Sequence, residues 1–325
     1  MRDYRAPAWL PGGHAQTIWP ARFSHTGREP CYRRERWTAP DGDFIDVDFQ
    51  GPGRDGALDA QAPWLVLFHG LEGSSRGSYA LAFADVAHRH GWNYAVPHFR
   101  GCSGEMNLAP RAYHSGDFEE IGWLLAGLRA RSAAPVMAVG ISLGGNALMR
   151  WAEEAGNTAA ATARAVASVC SPLDLMASGQ AIGSGLNRQV YTRMFLRTMK
   201  PRALAKWAQH PGLFDRDRLI AARDLREFDE VFTGPLHGFK GTDDYWQRAS
   251  AAPHLARLRI PALVLNAGND PFVPAHELPQ AHQVGPKVTL WRPAGGGHVG
   301  FPHGGFPGRV QQMPSAVAGW LADHA

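Results

Sequence analysis

Gly140-Ile141-Ser142-Leu143-Gly144 places a serine between an apolar run, Val136 to Val139, that reads as a buried strand and a run, Asn146 to Trp151, that reads as a helix. A sharp strand-to-helix turn at that point pushes a serine hydroxyl out of the backbone and toward a substrate. Helix and strand then approach so closely that the flanking positions need residues without a Cβ. A hydroxyl attacks only when a base removes its proton, and the base needs a third group that fixes its tautomer and stabilises its charge. On a doubly wound sheet these partners follow in the order serine, acid, histidine, on loops after later strands. Asp270 meets that requirement in Ala267-Gly268-Asn269-Asp270-Pro271, after a strand read from Ala262 to Asn266, with Glu277 the second choice. His298 meets it in a glycine-rich loop, Pro293 to Gly300, after the last strand, with His303 the runner-up. The chain has 15 histidines, so position after the final strand is what singles out His298.

Attack on a carbonyl leaves an oxyanion that needs preorganised N–H donors. The amide of Leu143, next to the serine, is one candidate. The amide of Leu71, in the bare turn His69-Gly70-Leu71-Glu72-Gly73 after a strand from Trp64 to Phe68, is the other. A second serine motif, Gly73-Ser74-Ser75-Arg76-Gly77, lacks the strand immediately before it. It reads as a polar loop entering a helix, where serines commonly cap free N–H groups. Gly51-Pro52-Gly53-Arg54-Asp55-Gly56 fits a dinucleotide-binding pattern in letters only, because no helix opens behind it. No HExxH or CxxC spacing occurs, so neither a metal nor another cofactor is expected.

The elements that must hold these residues alternate. Tyr32 to Thr38 and Phe44 to Phe49 read as a leading antiparallel hairpin around Ala39-Pro40-Asp41-Gly42, after an irregular N-terminal stretch. Strands then follow at Trp64 to Phe68, Asn93 to Pro97, Val136 to Gly140, Ala165 to Cys170, Ala262 to Asn266 and Val288 to Trp291. Helices fall between them at Tyr79 to His90, Asp117 to Arg131 and Asn146 to Glu154, and one closes the chain at Pro314 to Asp323. This rhythm is that of an α/β fold, a mostly parallel sheet with helices on both faces. It breaks between Leu175 and about Ala252, which reads as a helical cap (lid) inserted over the carboxyl edge. The expected organisation is therefore core 1–174, cap 175–252 and core 253–325. Within the cap, Leu186 to Lys206 carries Arg188, Arg193, Arg197, Lys200, Arg202 and Lys206 with no acid. Val190, Met194, Phe195 and Met199 share a face there. Such a helix can touch lipid, but the expectation is packing on the domain with its charges in water.

At 325 residues and 45% hydrophobic content the chain can bury a large core. A net charge of +4 with dispersed basic residues does not suggest nucleic-acid binding. Three cysteines without disulfide spacing and an N-terminus lacking an apolar signal core lead to the expectation of a reduced, cytoplasmic protein. No apolar window is long enough to span a bilayer. Oligomeric state is not readable.

Several motifs in order resemble one family, the YheT-like α/β hydrolases, relatives of eukaryotic abhydrolase-domain lipases and esterases. They are GGHAQTI from Gly12, HGLEGSS from His69, FRGCSGE from Phe99, YHSGD from Tyr113, GISLGGN from Gly140, NAGNDPFVP from Asn266 and GGHVGF from Gly296. The resemblance implies the α/β-hydrolase fold and a cofactor-independent serine hydrolase of small-molecule acyl esters. It also implies a triad on Ser142, Asp270 and His298, with His14, Arg100 and His114 candidates to line the pocket. Two rivals remain open: an acyltransferase using the same acyl-enzyme, and a non-catalytic binding protein on the same fold.

Overall fold

A computed structural model describes residues 1, 3–53 and 55–325. Arg54, within the glycine motif read as a loop, lies outside the described residues. The leading hairpin forms from Arg33–Thr38 (β1) and Phe44–Gln50 (β2), paired antiparallel with Arg36 opposite Asp46 and Arg34 opposite Asp48. Each pair closes a two-pronged Arg–carboxylate contact, with Nε–Oδ1 distances of 2.7 Å in both.

Trp64–Phe68 (β3), Asn93–Pro97 (β4), Val136–Ile141 (β5), Ala165–Val169 (β6) and Ala262–Leu265 (β7) are buried throughout, and Val288–Trp291 (β8) forms the far edge. The sheet order is β1-β2-β4-β3-β5-β6-β7-β8. It is antiparallel only through β2 and parallel from β4 to β8. Two-residue periodicity divides β3 between two cores. Val66 and Phe68 pack with Leu124, Leu125 and Leu148, whereas Leu65 and Leu67 pack with Phe83, Val317 and Leu321. Each such fully buried side chain contributes about 1.5–3 kcal/mol relative to exposure.

Four helices matter for the site: Gly13–Phe23 (α1), Ser78–Arg89 (α2), Phe118–Arg131 (α3) and Leu143–Ala155 (α4). Glu119 and Glu120 at the start of α3, and Arg129 and Arg131 at its end, complement the helix dipole. The N-terminal stretch, read from sequence as irregular, contains α1. Gly12-Gly13 at its start and Pro20 inside it hide the helical signal, and contacts with the rest of the molecule hold it in place.

Between β6 and β7 the described residues form helices and no strand. Asp174, Asp215 and Asp224 cap three of these helices through their side chains. Leu196, Phe214, Leu219, Phe228, Val231 and Phe232 give the insertion its own core. Its longest helix starts at Gly185–Asn187, passes through one π-helical turn at Arg188–Thr192 and continues as Arg193–Gln209. The expected division of this helix, apolar face inward and charges in water, is only partly met. Leu196 and Ala203 point inward, but Lys206 is buried and donates to the carbonyls of Asn107 (2.6 Å) and Ala109 (3.0 Å). Val190 and Met194 face solvent instead. Phe195 and Met199, from the same expected face, pack inward against neighbouring core residues.

Candidate active site

The chain leaves β5 at Ile141 and enters α4 at Leu143, so Ser142 is the whole connection. Its backbone adopts φ 52° and ψ −120°, a conformation that side-chain-bearing residues rarely take and that persists only where the surroundings enforce it. The flanking glycines are part of that enforcement. A Cβ on Gly140 would lie 2.4 Å from the Gly144 oxygen, and one on Gly144 would lie 2.4 Å from the His69 oxygen.

Three residues far apart in sequence meet here. His298 Nδ1 lies 2.9 Å from Asp270 Oδ2, and its Nε2 lies 3.0 Å from Ser142 Oγ. A carboxylate can only accept, so Nδ1 carries the ring hydrogen and Nε2 is left to receive the serine proton. The Asp270 side chain is fully buried, and its other oxygen accepts the Phe272 amide at 2.8 Å. Phe272 also packs against the imidazole, with ring centroids 4.2 Å apart.

The alternatives do not join this chain. Ser75 is buried, and its hydroxyl donates to Asp48 Oδ2 at 2.6 Å instead of capping α2. Glu277 is 44% exposed beside His276, and His303 pairs its backbone with Arg309. Leu143 is the first residue of α4, where an amide has no acceptor within the helix. Leu71 follows Gly70, whose α-carbon region faces the Ser142 side chain. Among the described residues neither amide donates to another protein group.

Sequence reasoning missed how the histidine loop is held. Thr17 Oγ1 accepts the His298 amide at 2.8 Å, and Gln16 Oε1 accepts the Gly296 amide at 2.8 Å and Asn269 Nδ2 at 3.0 Å. The Gly297 amide donates to Asn269 Oδ1 at 2.9 Å. Helix α1 thus braces the loops of both His298 and Asp270. The available signal was the GGHAQTI motif from Gly12, which contains Gln16 and Thr17 but does not announce their partners.

Two cavities meet at Ser142. One, of about 150 Å³, runs beneath the insertion past Leu143, Leu175, Phe232 and Trp246, with Arg100 and His114 in its wall. The other, of about 450 Å³, opens past His298, Thr17, Ile18, Val190 and Met194. Leu71, Phe195 and Phe272 border both. Arg100 is already satisfied by Glu120 and Asp43, at 2.6 and 2.7 Å. His14 lines neither cavity and instead stacks on Tyr191. Burial pushes the His114 pKa down to about 3, so the ring is neutral. Trp207 and Phe214 belong to the insertion's own core. The one group of potential metal ligands among the described residues is Cys170, Asp270 and His298. Two of these are committed to each other, and burial drives the Cys170 thiol pKa well up.

The fold is that of a doubly wound sheet with a core on each face. A family description of the alpha/beta hydrolase fold matches residues 63–304. The chain is 36% identical over 314 residues to YheT of Escherichia coli (strain K12), which carries the name of an esterase, with 96% of this chain and 90% of that one covered. It is 31% identical over 319 residues to the Homo sapiens phospholipase ABHD3, covering 95% of this chain and 76% of that one. Among solved structures it resembles Est1E from Butyrivibrio proteoclasticus, with a TM-score of 0.56 at 13% identity over 90% of this chain and 98% of that one. The chain belongs to the alpha/beta hydrolase family, as its likeness to the YheT-like members implied, and it is a hydrolase. Among the described residues no helix is long and apolar enough to cross a membrane.

Proposed function

We propose that the protein cleaves carboxylic acyl esters through an acyl-enzyme on Ser142. The hydrogen-bonded chain Asp270–His298–Ser142 carries this reading. His298 Nε2 takes the hydroxyl proton as Oγ attacks the ester carbonyl. The resulting oxyanion is met by the amides of Leu71 and Leu143, and Asp270 stabilises the imidazolium. Collapse expels the alcohol, which receives the proton from His298. A water, deprotonated by the same ring, then releases the acid and restores the serine.

The apolar cavity beneath the insertion suits an acyl chain, and the wider one suits the alcohol portion and its exit. In this reading the helical insertion acts as a lid over the carboxyl edge of the sheet. The names esterase and phospholipase borne by two relatives agree with ester chemistry. Hydrolysis of chromogenic esters of graded chain length, by wild type and Ser142→Ala, tests the proposal. Turnover should fall by about 10⁴-fold or more in the variant; turnover that survives the substitution removes Ser142 from the mechanism.

A further inference from the structure

The wider cavity opens between two elements that both turn apolar side chains outward. Ile18 on α1, together with Val190 and Met194 on the long insertion helix, lines it along with Ser142. These side chains are 44%, 39% and 49% exposed, so the rim of the entrance is apolar and wet. Single exposed apolar residues are ordinary; a set gathered around an opening that leads to a reactive serine is not. Leu186, 58% exposed, extends the row, because residues 186, 190 and 194 recur at a spacing of four on one helix face. On the α1 side, Phe23 leans on Trp19 with ring centroids 4.5 Å apart, and Phe306, 73% exposed, packs against Trp9 and Trp19. Both indole N–H groups donate inward, Trp9 to the Gly304 carbonyl and Trp19 to that of Pro307. With those N–H groups satisfied by the protein, the rings add apolar surface beside the opening, and tryptophan is enriched at lipid–water boundaries.

A basic row runs beside the apolar one. Arg193 and Arg197, four residues apart, are exposed and, among the described residues, have no ion-pair or hydrogen-bond partner. With Arg188, Lys200 and Arg223 they line a surface groove of about 520 Å³. Arg188 lies 4.0 Å from Asp224, Arg223 pairs with Glu227 at 2.9 Å, and Lys200 Nζ donates to the Ile220 carbonyl at 2.7 Å. The positive charge of Arg193 and Arg197 is thus uncompensated, directly beside an exposed apolar stripe. That pairing suits a helix lying in the plane of an anionic membrane surface.

We propose that this face docks the protein on an anionic lipid bilayer. Ile18, Leu186, Val190 and Met194 enter the headgroup boundary while Arg193, Arg197 and Lys200 meet lipid phosphates. The mouth of the wider cavity then faces the bilayer, and an ester reaches Ser142 without crossing bulk water. Docking is independent of the chemistry; its role in substrate delivery rests on the ester-hydrolase reading.

Flotation of the full chain with vesicles of phosphatidylcholine and phosphatidylglycerol in equal parts, against vesicles of phosphatidylcholine alone, tests this. Binding to the anionic vesicles alone, weakening as salt is raised, is expected. Each basic side chain near an anionic surface is worth about fivefold in affinity, so Arg193→Glu/Arg197→Glu should weaken binding at least about 20-fold. Leu186→Ser should also weaken it. Both variants should keep wild-type turnover of a water-soluble short-chain ester, since none of the three residues lines either cavity. Ser142→Ala should float like wild type, which separates failure of docking from failure of the proposed chemistry. Equal binding to both vesicle types, binding unchanged by the double reversal, or no binding to either overturns the proposal. A protein that ignores vesicles and instead forms a dimer split by Leu186→Ser would assign the face to a second copy of the chain, and equally overturns it.

Discussion

The Thr17 hydroxyl accepts a hydrogen bond from the backbone amide of His298, a residue 281 positions away, and donates to the Gly13 carbonyl at 2.7 Å. One side chain therefore ties the histidine loop to helix α1. Thr17→Val keeps the shape and removes the tie. Because a shift of about 1 Å between reacting groups costs about 100-fold in rate, a fall in kcat of about tenfold or more is expected, with little change in melting temperature. Thr17→Ser should restore most of the rate. Steady-state kinetics of the three proteins check this; equal kcat in wild type and Thr17→Val would show that the loop holds its own position.

The elbow glycines make a prediction about stability. In Gly144→Ala the new methyl would lie 2.4 Å from the His69 carbonyl and 2.5 Å from that of Phe68, both backbone atoms that cannot step aside cheaply. Overpacking of this kind costs about 1–3 kcal/mol and occasionally more, so a loss at or above the upper end is expected in urea unfolding. Gly319→Ala, in the closing helix Gln312–Ala322, meets nothing within 4 Å and should stabilise by about 0.5–1 kcal/mol through helix propensity. Equal effects at the two sites would contradict the close approach at the elbow.

Much of this site was legible in the sequence because its signals are local. Trp64–Phe68, Asn93–Pro97 and Val288–Trp291 match their expected spans because turn residues bound short apolar runs. The order of Ser142, Asp270 and His298 follows from loops after successive strands, and the geometry brings those three together. Helix α1 was hidden, since Gly12, Gly13 and Pro20 weaken its pattern and its purpose lies in contacts with residues some 280 positions away. Ser75 was misread as a helix cap because nothing local announces its partner Asp48 on β2. The residue pattern does not specify that Val190 and Met194 face outward while Phe195 and Met199 pack inward, because all four are apolar.

His69 supplies a pH dependence. Its Nε2 accepts the Phe99 amide at 3.0 Å, and its Nδ1 donates to the Gly70 carbonyl at 2.8 Å, which fixes one neutral tautomer at the base of the Leu71 turn. Burial lowers its pKa from 6.5 to about 3. Between those values the unfolded chain takes up a proton that the folded chain refuses. The ring's contribution to stability is therefore complete above about pH 6.5 and is lost as pH falls toward 3. Urea unfolding across that window should show the His69→Gln variant with a pH slope shallower by about 1.4 kcal/mol per pH unit, one proton's worth. Parallel slopes would mean that His69 titrates alike in both states.

The central claim is that Ser142 is the nucleophile, activated by His298 and Asp270. Its most direct measurement is the mass of the peptide carrying Ser142 after reaction of the folded protein with a fluorophosphonate. A single adduct on Ser142 is expected, absent in Ser142→Ala and slowed by orders of magnitude in His298→Gln, where the base is gone. A folded protein that stays unmodified, or an adduct found on Ser75, would contradict the account.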